Sequence, residues 1–378
     1  MSTLNAVAPA GAMIGANAEV YSERKRLFLI DAVGNRAQQL SRALNPLYEV
    51  SIFGDGAAAL DAMHACPPDL VVIDEGTMNS HGHGIHRTKV RDSQLKHVPF
   101  IILSNTTAGE LMLGDGDGAP DHFLKRPFSF KMLLEQMSYA ISYSVEKTWK
   151  SLAPSAQTTL KASVSQFKDI TQAIAEGRPP DMKETSEACR PLVKSIQDNE
   201  YGDVLDGLRD HHNYTYVHSL RVATYLTVFG KAVGMGANEM LLLTSGGMLH
   251  DVGKITMPQT LLNKPGKLDD QEWDVMRNHV VESDDIITTM EEVNPVIAII
   301  AGQHHEKIDG TGYPHGLKGS QLNELARMAT IVDIFSALTD SRSYKPAFST
   351  EKSFAILKDM GGGLDQRLVE KFEEVVCD

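Results

Sequence analysis

Residues 240–254, MLLLTSGGMLHDVGK, combine an apolar helical pattern with a histidine and an aspartate at its end. The pattern predicts a helix over Met240–His250. Gly253 follows, and because glycine readily adopts the left-handed backbone that ends helices, we expect it to close this one. Adjacent polar residues such as His250 and Asp251 are seldom needed by a structural core. The stretch therefore predicts a helical domain with a functional site at a helix end.

Helical patterns also dominate the sequence around this stretch, from Gly202 onward. Apolar positions predict further helices over Val217–Val228, Trp273–Thr288, Val296–His304 and Leu325–Leu338. Histidines and aspartates lie on or at the end of these helices, about one helical hairpin apart: His218, His250, Asp251, His279, His304, His305 and Asp333. Helix bundles build metal sites from inward-facing side chains of this kind. The spacing therefore predicts a metal centre.

Each of these residues also has an ordinary explanation, since a lone histidine on an apolar helix face is usually a hydrogen-bonded core residue. Asp333 is harder to explain in this way. It lies within the apolar run 328–335, where an unpaired buried carboxylate would be costly. A metal ion removes that cost. Nitrogen and oxygen ligands suit iron, manganese, nickel or zinc alike, so the residue types do not select the metal.

The N-terminal part of the sequence has a different pattern, in which short apolar runs alternate with amphipathic stretches. The runs predict five strands: Leu27–Ile30, Tyr48–Phe53, Leu70–Ile73, Phe100–Leu103 and His122–Leu124. Strands that alternate with helices form a doubly wound parallel sheet, whose strand ends line a crevice. The residues at these ends are Asp31, Asp74, Ser104 and Lys125-Arg126-Pro127.

Residues 26–145 resemble the receiver domain of bacterial two-component systems. In this resemblance Asp74 matches the phosphoacceptor, Ser104 the hydroxyl residue that contacts the phosphoryl group, and Arg126-Pro127-Phe128 the Lys-Pro-Phe turn. Receivers hold Mg²⁺ with two adjacent acids, whereas this chain has Asp31-Ala32. Two interpretations stay open: phosphorylation of Asp74 by a sensor kinase, or a receiver fold kept for dimerisation. His81, His83 and His86 in the following loop are a further, weaker metal candidate.

Composition limits the classes of function. The 378 residues include 36 Lys plus Arg and 49 Asp plus Glu, a net charge of −13 that disfavours DNA binding. No apolar stretch reaches the ~18 residues of a membrane helix. The 3 cysteines are scattered, so disulfides do not carry the fold. We expect a cytoplasmic protein with a disordered tail at 1–25, a helical linker at 146–205 and an all-α domain at 206–378.

Three motifs in the helical part resemble those of the HD-GYP subfamily of the HD metal-dependent phosphohydrolases. They are Leu249–Lys254, Leu262–Leu268 and His304–Pro314, the last of which contains the Gly-Tyr-Pro triplet. The resemblance implies a cyclic-di-GMP phosphodiesterase with divalent metals, most commonly iron or manganese. It assigns one metal to His218, His250, Asp251 and Asp333. It assigns the other to Asp251, His279, His304 and His305, so that Asp251 bridges the two.

The resemblance also implies a metal count and residue roles. Trinuclear members have a glutamate four residues before the first histidine, and this chain has Tyr214 there, so we expect two metals. Asp251 and Lys254 are the expected catalytic residues. Candidates for substrate binding are Lys254, Tyr313, Arg342 and Lys345.

Several functions remain open. The enzyme would convert cyclic-di-GMP to pGpG, GMP or both, or would cleave another 3′,3′-cyclic dinucleotide such as cyclic GMP-AMP. Alternatively, the protein is a catalytically weak module that binds cyclic dinucleotides and contacts diguanylate cyclases through the Gly-Tyr-Pro loop. In either case a homodimer is expected from the receiver-like part.

Overall fold

The computed structural model describes residues 25–77, 85, 88–89, 91–105, 121–209, 211, 213–262, 264, 266–340 and 347–377. The expected N-terminal tail lies outside these residues apart from Lys25. His81, His83 and His86 also lie outside them, as do Arg342 and Lys345.

The N-terminal part is a five-stranded parallel sheet in the order β2-β1-β3-β4-β5. The strands are β1 Arg26–Ile30, β2 Glu49–Phe53, β3 Leu70–Asp74, β4 Phe100–Ser104 and β5 Asp121–Lys125. All the strands predicted from apolar runs are confirmed. The order reverses direction beside β1, as in doubly wound sheets, so the functional crevice is expected at the carboxyl ends of the strands.

Helices cover both faces of the sheet. Successive strand residues point to opposite sides, so each face presents its own apolar side chains to a helix. Leu27 and Leu29 pack with α1 (Gly34–Leu44) and α3 (Phe130–Thr148). Phe28 and Ile30 pack with α2 (Gly56–Ala65) on the other face.

The rest of the chain is helical. After a 3₁₀ turn at Trp149–Ser151 come α4 Pro154–Ala175, α5 Met182–Gln197, α6 Gly202–Leu208, α7 Tyr214–Ala232 and α8 Ala237–Leu249. Single turns at Val252–Thr256 and Gln259–Leu262 lead to α9 Asp270–Thr288 and α10 Pro295–Gln303. The last helices are α11 Glu324–Thr339, α12 Thr350–Asp359 and α13 Gln366–Cys377. None of the helices in the described ranges is long and apolar enough to cross a membrane.

Residues 146–205, for which the sequence predicts a linker, share a core with the helices that follow. Leu160 of α4 and Cys189 and Leu192 of α5 are buried in one cluster with Val217 and Leu220 of α7. Because burial of apolar side chains is the main favourable term in folding, these helices stabilise the helical part. They are therefore more than a spacer between two units.

A buried aromatic contact joins the sheet-bearing part to the helical part. The indole N–H of Trp149, which follows α3, donates to the carbonyl of Gly207 in α6 at 2.8 Å. The ring of His211 lies nearly parallel to the indole, with ring centroids 6.0 Å apart, and contacts Tyr216 of α7. The His211 side chain is only 3% exposed.

Candidate metal centre

The ligand candidates predicted from the sequence come together where the ends of several helices meet. His218 lies in α7, His250 and Asp251 follow α8, His279 lies in α9, His304 and His305 follow α10, and Asp333 lies in α11. All are buried except His305, whose side chain is 22% exposed. Three overlapping groups place their ligand atoms within 4.8 Å of one another: His279, His304 and His305; His218, His250 and Asp333; and His250, Asp251 and His304.

Main-chain carbonyls orient three of the histidine rings. Nδ1 of His250 contacts the carbonyl of Gly247 at 2.7 Å, Nδ1 of His279 that of Met276 at 2.5 Å, and Nδ1 of His304 that of Ala301 at 2.8 Å. A carbonyl only accepts, so each Nδ1 must carry the proton and donate it. The lone pair of each ring is therefore on Nε2, as in metal-binding histidines with an oriented second nitrogen.

Asp251 lies between two sets of histidines. Its Oδ2 is 3.4 Å from Nε2 of His218 and 3.3 Å from Nε2 of His250. Its Oδ1 is 3.2 Å from Nε2 of His279 and 3.8 Å from Nε2 of His304. One carboxylate thus directs a separate oxygen at each half of the cluster.

Asp333 also contacts both halves. Its Oδ1 lies 2.9 Å from Nε2 of His218, and its Oδ2 lies 3.5 Å from Nδ1 of His305. Burial would raise the pKa of this carboxyl, but the hydrogen bond from His218 holds the pKa well below its usual range. The buried carboxylate foreseen in the apolar run is therefore part of the cluster.

Several donor atoms at the centre of the cluster are buried without a hydrogen-bond partner: Oδ1 of Asp251 and Nε2 of His279 and His304. Nε2 of His218 and Nε2 of His250 lie only 3.3 Å apart. Such crowding of buried lone pairs is costly unless a proton or a cation lies among them. The donor set, with nitrogen and carboxylate oxygen, fits divalent transition metals.

The protonation states of His304, His305 and Asp251 suit metal binding. Burial lowers the pKa of His305 to about 3 and holds the pKa of His304 well below its ordinary value. Burial would raise the pKa of Asp251, but the neighbouring Lys254 ammonium and His250 hold it well below its ordinary value. At neutral pH these histidines are therefore neutral and the aspartate is charged, which are the forms that bind metals.

Close helix contacts at glycines position the ligands. A Cβ on Gly247 would lie 2.6 Å from Cα of Ala223, where α8 crosses α7. A Cβ on Gly253 would lie 2.2 Å from the carbonyl oxygen of His279. The prediction that Gly253 closes the helix with a left-handed backbone was wrong, since Gly253 has no positive φ. It is needed because the backbone of α9 approaches too closely for a side chain.

The structure places two of the predicted substrate-binding residues beside the cluster. The ammonium of Lys254 contacts Oδ2 of Asp251. The ring of Tyr313 packs on His305, with ring centroids 4.8 Å apart. The guanidinium of Arg277 lies 5.7 Å from the centroid of the Tyr313 ring. Arg277, on α9, was not among the residues predicted from the sequence. Arg342 and Lys345 lie outside the described residues.

A second group of polar residues lies at the carboxyl edge of the sheet. Asp31 and Asp74 are buried there, as expected for strand ends. Nη1 of Arg126 is 2.7 Å from Oδ2 of Asp74, and Nη2 of Arg36 lies 3.5 Å from Asp31 and 3.7 Å from Asp74. The hydroxyl of Ser104 donates to the carboxylate of Glu75. Two guanidinium groups thus face the two carboxylates.

Comparison with known proteins identifies the helical part. Residues 203–368 match the sequence profile of the HD domain, and this range contains every ligand candidate of the cluster. These residues form an HD domain. The His250-Asp251 pair that follows α8 lies within this range.

Three relatives match this chain over different shares of its length. A cyclic di-GMP phosphodiesterase of Pseudomonas aeruginosa is 31% identical over 57% of this chain and 51% of its own length. A 3′3′-cGAMP-specific phosphodiesterase of Vibrio cholerae is 36% identical over 39% of this chain and 32% of its own length. A cyclic di-GMP phosphodiesterase response regulator of Xanthomonas campestris is 26% identical over 86% of this chain and 80% of its own length. This chain spans about a third to a half of the length of the first two.

Proposed function

We propose that the HD domain hydrolyses a 3′,3′-cyclic dinucleotide, with cyclic-di-GMP converted to pGpG, GMP or both. The observation that carries this proposal is the position of Asp251, whose two oxygens face two separate sets of histidine Nε2 atoms. This arrangement suits a carboxylate that bridges two metals. The names of the relatives, which include cyclic di-GMP and cGAMP phosphodiesterases, support the substrate class.

Two divalent ions would divide the ligands between them. His218, His250 and Asp333 would hold one, His279, His304 and His305 the other, and Asp251 would bind both. The ring of Tyr214 stacks on His218, with centroids 5.8 Å apart and planes at 12°, and offers no carboxylate for a third ion. Iron or manganese is our first choice, with nickel or zinc as alternatives. When bound, such a pair lowers the pKa of a water and neutralises charge on the phosphodiester.

The chain's own residues would bind and orient the substrate. Lys254 lies against Asp251 and is half-buried, so its ammonium is available at the site to a phosphate oxygen. Tyr313 packs on His305 and offers a flat aromatic face beside the ligands. We assign phosphate binding to Lys254 and base contact to Tyr313. Arg342 and Lys345 stay predictions for phosphate binding.

The test is product analysis on the 378-residue protein with cyclic-di-GMP and 3′,3′-cGAMP offered separately. Wild type should release pGpG or GMP from cyclic-di-GMP, and Asp251→Asn should abolish release. Asp206→Asn changes an exposed carboxylate paired with Arg209 and should behave as wild type. Preferential cleavage of 3′,3′-cGAMP would identify that dinucleotide as the substrate. Tight nucleotide binding without cleavage by a metal-containing sample would contradict the enzymatic proposal and support the binding module.

For the N-terminal part we propose a receiver-like regulatory unit that is not phosphorylated. Mg²⁺ does not fit the sheet edge well, because guanidinium groups of Arg36 and Arg126 already face Asp31 and Asp74. Acetyl phosphate with Mg²⁺ should therefore not label the protein. If the wild type is labelled and Asp74→Asn is not, the proposal is wrong and Asp74 is the phosphoacceptor. Contacts with a diguanylate cyclase or sensor kinase, and a homodimer, stay predictions.

A further inference from the structure

The loop that follows the His304-His305 pair is organised around a buried carboxylate. Glu306 is 0% exposed. Main-chain N–H groups of His315 and Gly316 donate to its Oε1 at 2.6 and 3.1 Å, and that of Leu317 donates to its Oε2 at 2.9 Å. Successive N–H groups that point inward form a concave anion site, and here the anion is a side chain of the same loop. These bonds offset the cost of burying the charge.

Glu306 also ties the loop to the metal-ligand helices. The hydroxyl of Thr330, on the helix that carries Asp333, donates to the main-chain oxygen of Glu306 at 3.1 Å. A Cβ on Gly312 would lie 2.3 Å from the main-chain nitrogen of Lys307, so the loop folds directly back on the residues beside Glu306. The carboxylate therefore joins the start and the end of the loop at a fixed distance.

The residue that this loop presents to the cluster is Tyr313. Its N–H donates to the carbonyl of His305 at 3.1 Å. Its ring packs against the imidazole of His305 and lies near the guanidinium of Arg277. The side chain of Arg277 is 41% exposed, and its nearest carboxylate, that of Asp274, is 3.8 Å away. The guanidinium thus keeps donors available beside an aromatic face.

We propose that Glu306 is a positioning residue that keeps Tyr313 next to Arg277, so that these two side chains line one side of the substrate-binding site. A purine base would stack on Tyr313, and a phosphate of the same nucleotide would accept hydrogen bonds from Arg277. The proposal rests on the proposed function, because it deepens the substrate assignment of the same site. It gives Glu306 no contact with the reacting atoms.

Glu306→Gln tests this role with little change of shape. The amide oxygen can still accept two of the N–H groups, but the amide NH₂ then meets the third N–H, so that a buried donor is left unpaired. An unpaired buried donor is unfavourable, so the loop should rearrange locally around residue 306. We expect the KM for cyclic-di-GMP to rise about tenfold. Bis(p-nitrophenyl) phosphate is too small to need contacts with Tyr313 and Arg277, so its kcat should stay within about twofold of wild type. The metal content should also stay within about twofold.

Glu324→Gln is the matched control, because Glu324 is an exposed glutamate that pairs with Arg367. Hydrogen exchange supplies a readout that needs no substrate: exchange at residues 315–317 should accelerate in Glu306→Gln and not in the control. An unchanged KM, unchanged exchange, or a parallel loss of metal and of turnover on the small diester would overturn the proposal. A wild type that cleaves no cyclic dinucleotide would instead refute the proposed function, while the exchange measurement would still test the positioning.

Discussion

Gly247→Ala tests whether the contact between α7 and α8 sets the geometry of the metal ligands. The new Cβ would lie 2.6 Å from Cα and 2.8 Å from the nitrogen of Ala223. Carbon atoms in contact prefer ~3.5–4.0 Å, so the helices must separate by roughly 1 Å. Overpacking of this kind costs ~1–3 kcal/mol. At roughly 2–4 °C per kcal/mol for a domain of this size, the Tm should fall by about 2–12 °C.

The same separation should weaken metal binding. His218 lies on α7 and His250 directly follows α8, and their Nε2 atoms are 3.3 Å apart. Metal sites tolerate errors of only ~0.2 Å in ligand distances, so we expect metal affinity to fall about tenfold. The assays are metal analysis after dialysis against a weak chelator and thermal unfolding of the dialysed sample.

Gly246→Ala is the matched comparison, since its Cβ would meet chiefly the side chain of Ile300, with Cδ1 nearest at 2.6 Å. A side-chain end can move where backbone cannot, so this variant should retain metal and lose less stability. The reasoning is refuted if Gly247→Ala keeps its metal and has the same Tm as Gly246→Ala.

Two further predictions concern thiols and pH. Burial raises the pKa of Cys189 to about 12, whereas Cys66 and Cys377 are exposed, so a thiol reagent at pH 8 should modify the latter two in the native protein and Cys189 only after denaturation. Rapid native modification of Cys189 would contradict the packing of α5 in the helical core. Burial lowers the pKa of His305 from 6.5 to about 3, so the unfolded chain binds the extra proton between these values and metal-free protein should lose stability as the pH falls from about 6.5 toward about 3. Urea unfolding at pH 7.5 and 5 checks this, and equal or greater stability at pH 5 would argue against a neutral His305 ring in the folded protein.

The features that the sequence predicted well are those encoded by local patterns. Apolar runs located the strands, and the helix carrying His218 and the helix ending before His250 agree with the structure within a few residues at each end. The convergence of distant ligands such as Asp333 followed from helix spacing and from the cost of burying a carboxylate. These inferences need only the periodicity of each segment and the chemistry of its side chains.

Other features depend on contacts between segments that have no local signature. Gly253 is needed because the backbone of α9 lies too close for a side chain. In the sequence alone, a glycine close to a helix end resembles a C-cap. The burial of His211 depends on Trp149, far away in the chain. The sequence motif contains Glu306 but does not show what its carboxylate binds. Its hydrogen bonds form only because the loop brings residues 315–317 back to it.

The most direct test of the account is the number of metals per chain, measured on anaerobically purified protein whose cyclic-di-GMP turnover is assayed in the same sample. The account predicts about two metals per chain, because Asp251 directs one oxygen at each set of histidines, together with release of pGpG or GMP. One metal per chain at full activity would contradict the bridging role of Asp251. Three would contradict the argument from Tyr214.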